Sequence, residues 1–209
     1  MDEPALIADA QQGGRRGLDA FNTLVLGYQS QVYSVAYRIL GDVAAAADAT
    51  QEAFVSAFKH IQAFRNVSNA GSFKSFLLRT VTNACFDKLR YDKRRPTTSL
   101  ESLGEADEGD SEPGSNEFLP SLNSSDENPA AISERADIRR HIEHAMRLLP
   151  PDQRAAFVLS DLQHLNYEEI ADAMQTSIGT VKSRLSRARA KLRDYLLSQP
   201  ELLPEEYRQ

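Results

Sequence analysis

The sequence predicts an all-α protein: two small helical domains joined by a flexible acidic linker, the C-terminal one carrying a helix-turn-helix. Three observations lead there. Apolar residues recur at helical steps of three and four on both sides of a central gap, and no two-residue alternation is sustained anywhere. The gap, Thr97 to Ala130, holds nine acidic residues, no Lys or Arg and few large apolar side chains. It is rich in Ser, Gly, Pro and Asn, so it cannot bury enough apolar area to offset its ordering entropy. Finally, two basic tracts each end a helical stretch. Lys88 to Arg95 (KLRYDKRR) has five basic and one acidic residue, and Gly179 to Arg193 (GTVKSRLSRARAKLR) has six basic and none acidic. The expected division is 1–96, 97–132, 133–197 and a tail, 198–209, with the helical part of the first domain beginning near residue 15.

Charge is segregated along the chain. The 209 residues carry 24 Lys and Arg against 30 Asp and Glu, a formal charge of −6. Nine of those 30 acidic residues sit in the linker, so the remainder has 24 basic and 21 acidic residues, a net of +3. Nucleic acid is therefore not excluded as a partner. No stretch approaches the roughly 18 apolar residues of a membrane span. The acidic start MDEPALIADA lacks the basic flank and apolar run of a signal peptide. A single cysteine, Cys85, excludes an internal disulfide and a Cys-rich zinc site. The expectation is a cytoplasmic protein with no membrane insertion.

The first helix follows from Leu18, Phe21, Leu24, Val25, Tyr28, Val32, Val35, Ile39 and Leu40, with Gly41 ending it and Asp42 capping the next. The second is alanine-rich, with Phe54, Phe58 and Ile61 on one side. A polar break, Arg65 to Ser72 (RNVSNAGS), places Ser72 as an N-cap. The third has the clearest stripe: Phe73, Phe76, Leu77, Thr80, Val81, Ala84, Cys85 and Leu89. Cys85 lies on that face and reads as a buried structural thiol. Pro96 stops the helix.

Beyond the linker, Ile138, Ile142, Ala145, Met146 and Leu149 form a fourth stripe ended by Pro150-Pro151, and Asp152 is placed to cap a short helix through Leu162. Asn166 with Glu169 has the spacing of a capping box. In YEEIADAMQTSIGTVKSRLSRARAKL, the inward residues are Ile170, Ala171 and Met174, then Ile178, Val181, Leu185, Ala188 and Leu192. The short connection Gln175-Thr176-Ser177, with Ser177 as cap, makes this a helix-turn-helix. The second helix presents Thr180, Lys182, Ser183, Arg184, Ser186, Arg187 and Arg189 outward, a set able to pair with guanine edges and phosphates.

Three stretches together resemble one family, the extracytoplasmic-function (ECF) sigma factors, group 4 of the sigma-70 family: YRILGDVAAAADATQEAFVSAFKHIQAFR, FKSFLLRTVTNACFDKLRYDKRRP, and LLPPDQRAAFVLSDLQHLNYEEIADAMQTSIGTVKSRLSRARAKLRDYL. The resemblance implies a promoter-specificity subunit of bacterial RNA polymerase built from regions two and four. Region two would bind the β′ clamp helices of core polymerase and melt the minus-ten element of promoter DNA. Region four would bind the β flap and read the minus-thirty-five element. Control by an anti-sigma factor or another signal-responsive mechanism is also implied. Carried onto this sequence, the polymerase-binding patch is Asp48, Gln51, Glu52 and Val55. The minus-ten set is Asn66, Ser68, Asn69, Asn83, Lys88, Arg90 and Arg94, with the break RNVSNAGS as the loop that receives a flipped base. Base reading at minus thirty-five falls on Lys182, Ser183, Ser186 and Arg187, with Arg184 and Arg189 as backbone contacts. The family commonly has Gly where this chain has Gln175, and often a large side chain at Ser186. Phe58 and Phe76 stand where it often has Trp. In relatives the linker threads toward the RNA exit path, where an acidic segment could mimic RNA.

The sequence holds no phosphate-cradling glycine loop, dinucleotide motif or nucleophile elbow. His141 and His144 are three apart on a helix but lack a third ligand. No catalytic residue, metal or cofactor is expected, and the protein reads as a binding subunit rather than an enzyme.

Overall fold

The computed structural model describes residues 2–64, 73–94 and 140–199. Within them the chain forms α1 (Glu3–Gln12), α2 (Gly14–Leu40), α3 (Val43–His60), a 3-10 turn (Ile61–Ala63), α4 (Phe73–Arg94), α5 (140–147), α6 (Pro151–Phe157), a π turn (Val158–Leu162), α7 (Tyr167–Ala173) and α8 (Ile178–Leu197). No strand occurs among the described residues. The linker, the loop residues Asn66, Ser68 and Asn69, the proposed cap Ser72, Ile138 and the tail beyond Gln199 lie outside them.

Local signals explain most boundaries. Gly41 closes α2 at φ 78°, a left-handed conformation that costs glycine little, and its N–H donates to the Tyr37 carbonyl. Asp42 then caps α3 by accepting from Ala45 N at 2.6 Å. Asn166 and Glu169 close the capping box in both directions, at 2.9 and 3.0 Å. Asp152 differs from expectation. Pro150 is the N-cap of α6, so Asp152 sits inside the first turn, where its carboxylate favours the helix dipole and pairs with Arg184 instead of capping.

The first domain packs α2, α3 and α4 around Leu24, Val32, Val35, Ile39, Phe73, Leu77 and Val81, all buried. Burial on α4 is wider than its sequence stripe, because Leu78 and Thr82 are buried too. The reason is that α4 is covered twice, by α2 and α3 on one side and by α7 on another. Thr82 satisfies its hydroxyl by donating to the Leu78 carbonyl at 2.6 Å. Three residues on the sequence stripes are substantially exposed: Leu18 (46%), Phe58 (44%) and Ile178 (40%). Each sits at a helix end or the margin of its stripe. Phe58 keeps an aromatic contact with Phe21 at 5.0 Å. Phe76 is half-buried.

Helix α1 was not among the expected elements. Asp2 caps it, Ile7 and Ala10 bury its inner face, and Gly17 of α2 lets its backbone approach closely. A β-carbon on Gly17 would stand 3.0 Å from the Asp9 carbonyl oxygen.

Candidate functional sites

The α3 patch comes first. Ala46, Ala49, Ala53, Phe54 and Ala57 turn inward, which leaves Asp48, Gln51, Glu52 and Val55 together on the exposed side. Val55 is 46% exposed, one turn beyond Glu52 on the same face. A small apolar spot with acidic neighbours suits a protein partner: burial of Val55 supplies affinity, and the carboxylates steer and orient.

Helix α4 presents the second surface. Its last two turns carry Lys88, Arg90, Lys93 and Arg94 with the half-exposed ring of Tyr91. Lys88 pairs with Asp92 at 3.3 Å and Arg90 with Asp87 at 3.2 Å. Exposed pairs of this kind are worth about 0–1 kcal/mol, so phosphates can displace them. Lys88 Nζ also stands 5.8 Å from the Tyr91 ring centre. Cations beside an aromatic face match the chemistry of single-strand binding. Asn83 is half-buried in an open cleft between α3 and α4, which Glu52, Ser56, His60, Arg79 and Thr80 also line.

The third surface is α8. Ser177 caps it through Thr180 N at 3.2 Å, and Gln175 holds the preceding turn at φ 50°. Val181, Leu185, Ala188 and Leu192 are buried, so Lys182, Ser183, Ser186 and Arg187 face outward and exposed, with Thr180 half-buried at the helix start. Arg184 and Arg189 differ from these. Arg184 pairs with Asp152 at 2.9 Å. Arg189 forms a fork on Asp161, at 3.2 and 3.1 Å, and that hydrogen bonding holds its guanidinium charged still more firmly. Lys182 Nζ lies 5.7 Å from the ring centre of Tyr167, the first residue of α7.

Sequence reasoning did not anticipate that the two domains touch. Lys74 donates to the Gln163 carbonyl at 2.9 Å, and Ser75 donates to Glu169 Oε1 at 2.5 Å. Arg79 pairs with Asp172, and Gln31 donates to the Gln163 side chain. Glu169 therefore serves twice: one oxygen completes the capping box of α7 and the other reaches α4. The half-buried Arg154 donates to the carbonyls of Leu149 and Arg147, and one of its terminal nitrogens approaches Gly41. Burial, then the neighbouring Arg147 charge, lowers the affinity of Arg154 for its proton.

The remaining reactive groups are structural. Cys85 is buried, and desolvation pushes its thiol up to about 12. His141 lies 3.3 Å from the Tyr195 hydroxyl, and His144 packs on the same ring. Among the described residues no cluster of three His, Cys, Asp or Glu could hold a metal, and no helix is long and apolar enough to cross a membrane.

Residues 24–95 match the family Sigma-70 region 2, and residues 139–192 match Sigma-70, region 4. The chain is 34% identical over 197 residues to the ECF RNA polymerase sigma factor SigE of Mycolicibacterium smegmatis, covering 93% of this chain and 69% of that one. It is 33% identical to the RNA polymerase sigma-H factor of Pseudomonas aeruginosa, over 88% of each chain. It is also 33% identical to the ECF RNA polymerase sigma-E factor of Escherichia coli K12, over 90% of this chain and 91% of that one. Two solved structures share the fold. The sigma factor RpoE, in complex with the anti-sigma factor NepR from Bartonella quintana, has a TM-score of 0.59 at 21% identity, over 84% of this chain and 96% of that one. CnrH, in complex with the cytosolic domain of CnrY, has a TM-score of 0.56 at 22% identity, over 92% and 95%.

Proposed function

Because the chain belongs to the extracytoplasmic-function family of RNA polymerase sigma factors, we propose that its three exposed surfaces divide the work of promoter-directed initiation. The α3 patch of Asp48, Gln51, Glu52 and Val55 docks on the β′ clamp helices of core polymerase. The end of α4, with Asn83, Lys88, Arg90 and Arg94, holds the melted minus-ten strand, whose flipped base is read by Asn66, Ser68 and Asn69. The outer face of α8 reads the minus-thirty-five duplex in the major groove. Lys182, Ser183, Ser186 and Arg187 reach base edges there. Thr180, Arg184 and Arg189 contact phosphate, the two arginines by exchanging their carboxylate partners for it. The β flap meets the second domain.

The observation that carries this reading is the chemical contrast between surfaces. One helix exposes two carboxylates beside an apolar spot, and another exposes cations and hydroxyls along the face that a helix-turn-helix turns to DNA. The protein itself makes and breaks no covalent bond in this scheme, and the polymerase supplies the chemistry. It acts in the cytoplasm, and an anti-sigma factor is its expected regulator, as RpoE occurs in such a complex. The test is reconstituted transcription with core polymerase, followed by start-site mapping on genomic fragments. The expected result is a set of discrete starts preceded by one common pair of elements. Starts distributed as with core polymerase alone would overturn the reading.

A further inference from the structure

Lys182 differs from two arginines of the same helix in what it meets. Arg184 pairs with Asp152 at 2.9 Å, and Arg189 forms its fork on Asp161 at 3.2 and 3.1 Å. Among the described residues Lys182 meets an aromatic face instead, that of Tyr167, with Nζ 5.7 Å from the ring centre. The two kinds of partner leave a cation in different states. A carboxylate accepts N–H donors and sets a negative charge where an incoming phosphate or base acceptor must displace it. A ring attracts the ammonium through its quadrupole and leaves the donors of that ammonium available for acceptors on a base edge. The ring is firmly mounted. Tyr167 is the first residue of α7 and follows Asn166, whose capping box with Glu169 closes in both directions. Ser177 caps α8, and Ile170, Val181 and Leu185 are buried where α7 packs on α8. The hydroxyl end of Tyr167 has a neighbour too. The Arg189 guanidinium is held charged chiefly by its hydrogen bonds to Asp161, with a smaller contribution from Tyr167. One side chain of α7 therefore bears on two cations of α8 that stand about two turns apart.

We propose that Tyr167 is a positioning residue for minus-thirty-five selectivity, holding the Lys182 ammonium in place for a base edge. The inference rests on the reading that Lys182 contacts bases from the outer face of α8, and it adds a residue of the preceding helix that acts through Lys182. An unconfined lysine side chain loses much rotamer entropy when it is fixed on one acceptor. A ring that already confines the chain reduces that loss for the base at which the ammonium is held, and not for the alternatives. The effect therefore falls on preference at one position rather than on affinity for DNA as a whole.

The experiment uses the full-length protein with core polymerase on promoter libraries randomised at the minus-thirty-five element. The variants are Tyr167→Phe, which keeps the ring and removes the hydroxyl, Tyr167→Leu, which removes the ring, Lys182→Ala, and the double variant of Tyr167→Leu with Lys182→Ala. Expected for Lys182→Ala is a relaxed preference at one upstream position. Tyr167→Leu should flatten the preference at that same position by about two- to fivefold and leave the other upstream positions at parental values. Tyr167→Phe should keep the parental preference, and the double variant should match Lys182→Ala alone. Circular dichroism checks that each variant is helical. If Lys182→Ala alters the preference and Tyr167→Leu does not, the inference falls and the assignment of base reading to Lys182 stands. If neither alters it, that assignment falls and takes the inference with it. A loss in Tyr167→Phe equal to that in Tyr167→Leu would assign the effect to the hydroxyl and overturn the inference. A uniform loss over all upstream sequences in Tyr167→Leu, or a further loss in the double variant beyond Lys182→Ala, would mean that Tyr167 acts independently of Lys182 and would also overturn it.

Discussion

Gln175 holds φ 50° in the turn between α7 and α8, a conformation that places an L side chain against its own backbone. The strain amounts to about 1 kcal/mol relative to glycine. The turn is nonetheless made, because Thr176 N donates to the Ala171 carbonyl at 2.9 Å and Ser177 caps α8. Gln175→Gly should therefore raise unfolding free energy by about 0.5–1 kcal/mol, read by denaturant titration. It should leave the minus-thirty-five preference alone, since Gln175 precedes the outer face of α8. A loss of stability would mean that the exposed side chain makes a compensating contact. This position was legible through the family resemblance, which commonly has Gly there, since a Gln carries no local signal of a left-handed backbone. The partners of Arg184 and Arg189 were not. Asp152 and Asp161 lie 32 and 28 positions earlier in the chain, and only the packing of α6 on α8 brings them together.

Helices carry their meaning in faces, and here periodicity predicts well with one instructive failure. The stripes of α2, α3, α4 and α8 follow burial because each contributes a broad apolar face to one core. Helix α1 escaped because its sequence, EPALIADAQQ, has only Leu6, Ile7 and alanines to offer and is followed at once by two glycines. Its stability comes from Tyr28, Ile61 and Phe64, contacts that no local pattern records. The α3 face was legible in part: spacing alone puts Asp48, Gln51, Glu52 and Val55 together, while the role proposed for them came from the family resemblance. Asp48→Arg with Glu52→Arg should abolish core binding in a pull-down and leave the helical signal intact, since both residues are exposed. Unchanged binding would remove the patch from the mechanism. On α8 two exposed arginines should behave differently. Arg187→Ala should cost about 1–3 kcal/mol at a single upstream position and relax preference there. Arg189→Ala should weaken all sequences alike and reduce the salt dependence of binding. Promoter libraries transcribed at two salt concentrations separate the two patterns, and a position-specific effect of Arg189→Ala would contradict the division between base and phosphate contacts.

At the scale of the whole molecule, the contact between domains combines polar pairs with packing of α2 on α6 and of α4 on α7. Its ion pair, Arg79 with Asp172, leaves the two side chains 48% and 60% exposed, a setting in which such a pair contributes about 0–1 kcal/mol. Hydrogen bonds from Lys74, Ser75 and Gln31 also cross it. A domain of about 80 residues has a radius of gyration near 12 Å, so two in contact have centres roughly 25–30 Å apart. Elements centred at minus ten and minus thirty-five are about 25 base pairs apart, roughly 85 Å of duplex. With the two reading surfaces as proposed, this arrangement cannot place both on one promoter, and the α4–α7 contact is expected to break when the protein is loaded on promoter DNA. A cysteine pair at Ser75 and Glu169, joined by a short bismaleimide, tests this directly. Cys85 should not interfere, because it is buried with its thiol pushed up to about 12 and thus protonated near neutrality. The cross-linked protein should lose promoter-directed transcription almost completely, while the same variant before cross-linking, and each single cysteine variant after the same treatment, should transcribe at close to the parental rate. Full activity in the cross-linked protein would mean that the two domains read DNA without separating, and the promoter geometry argued from the two surfaces would be wrong.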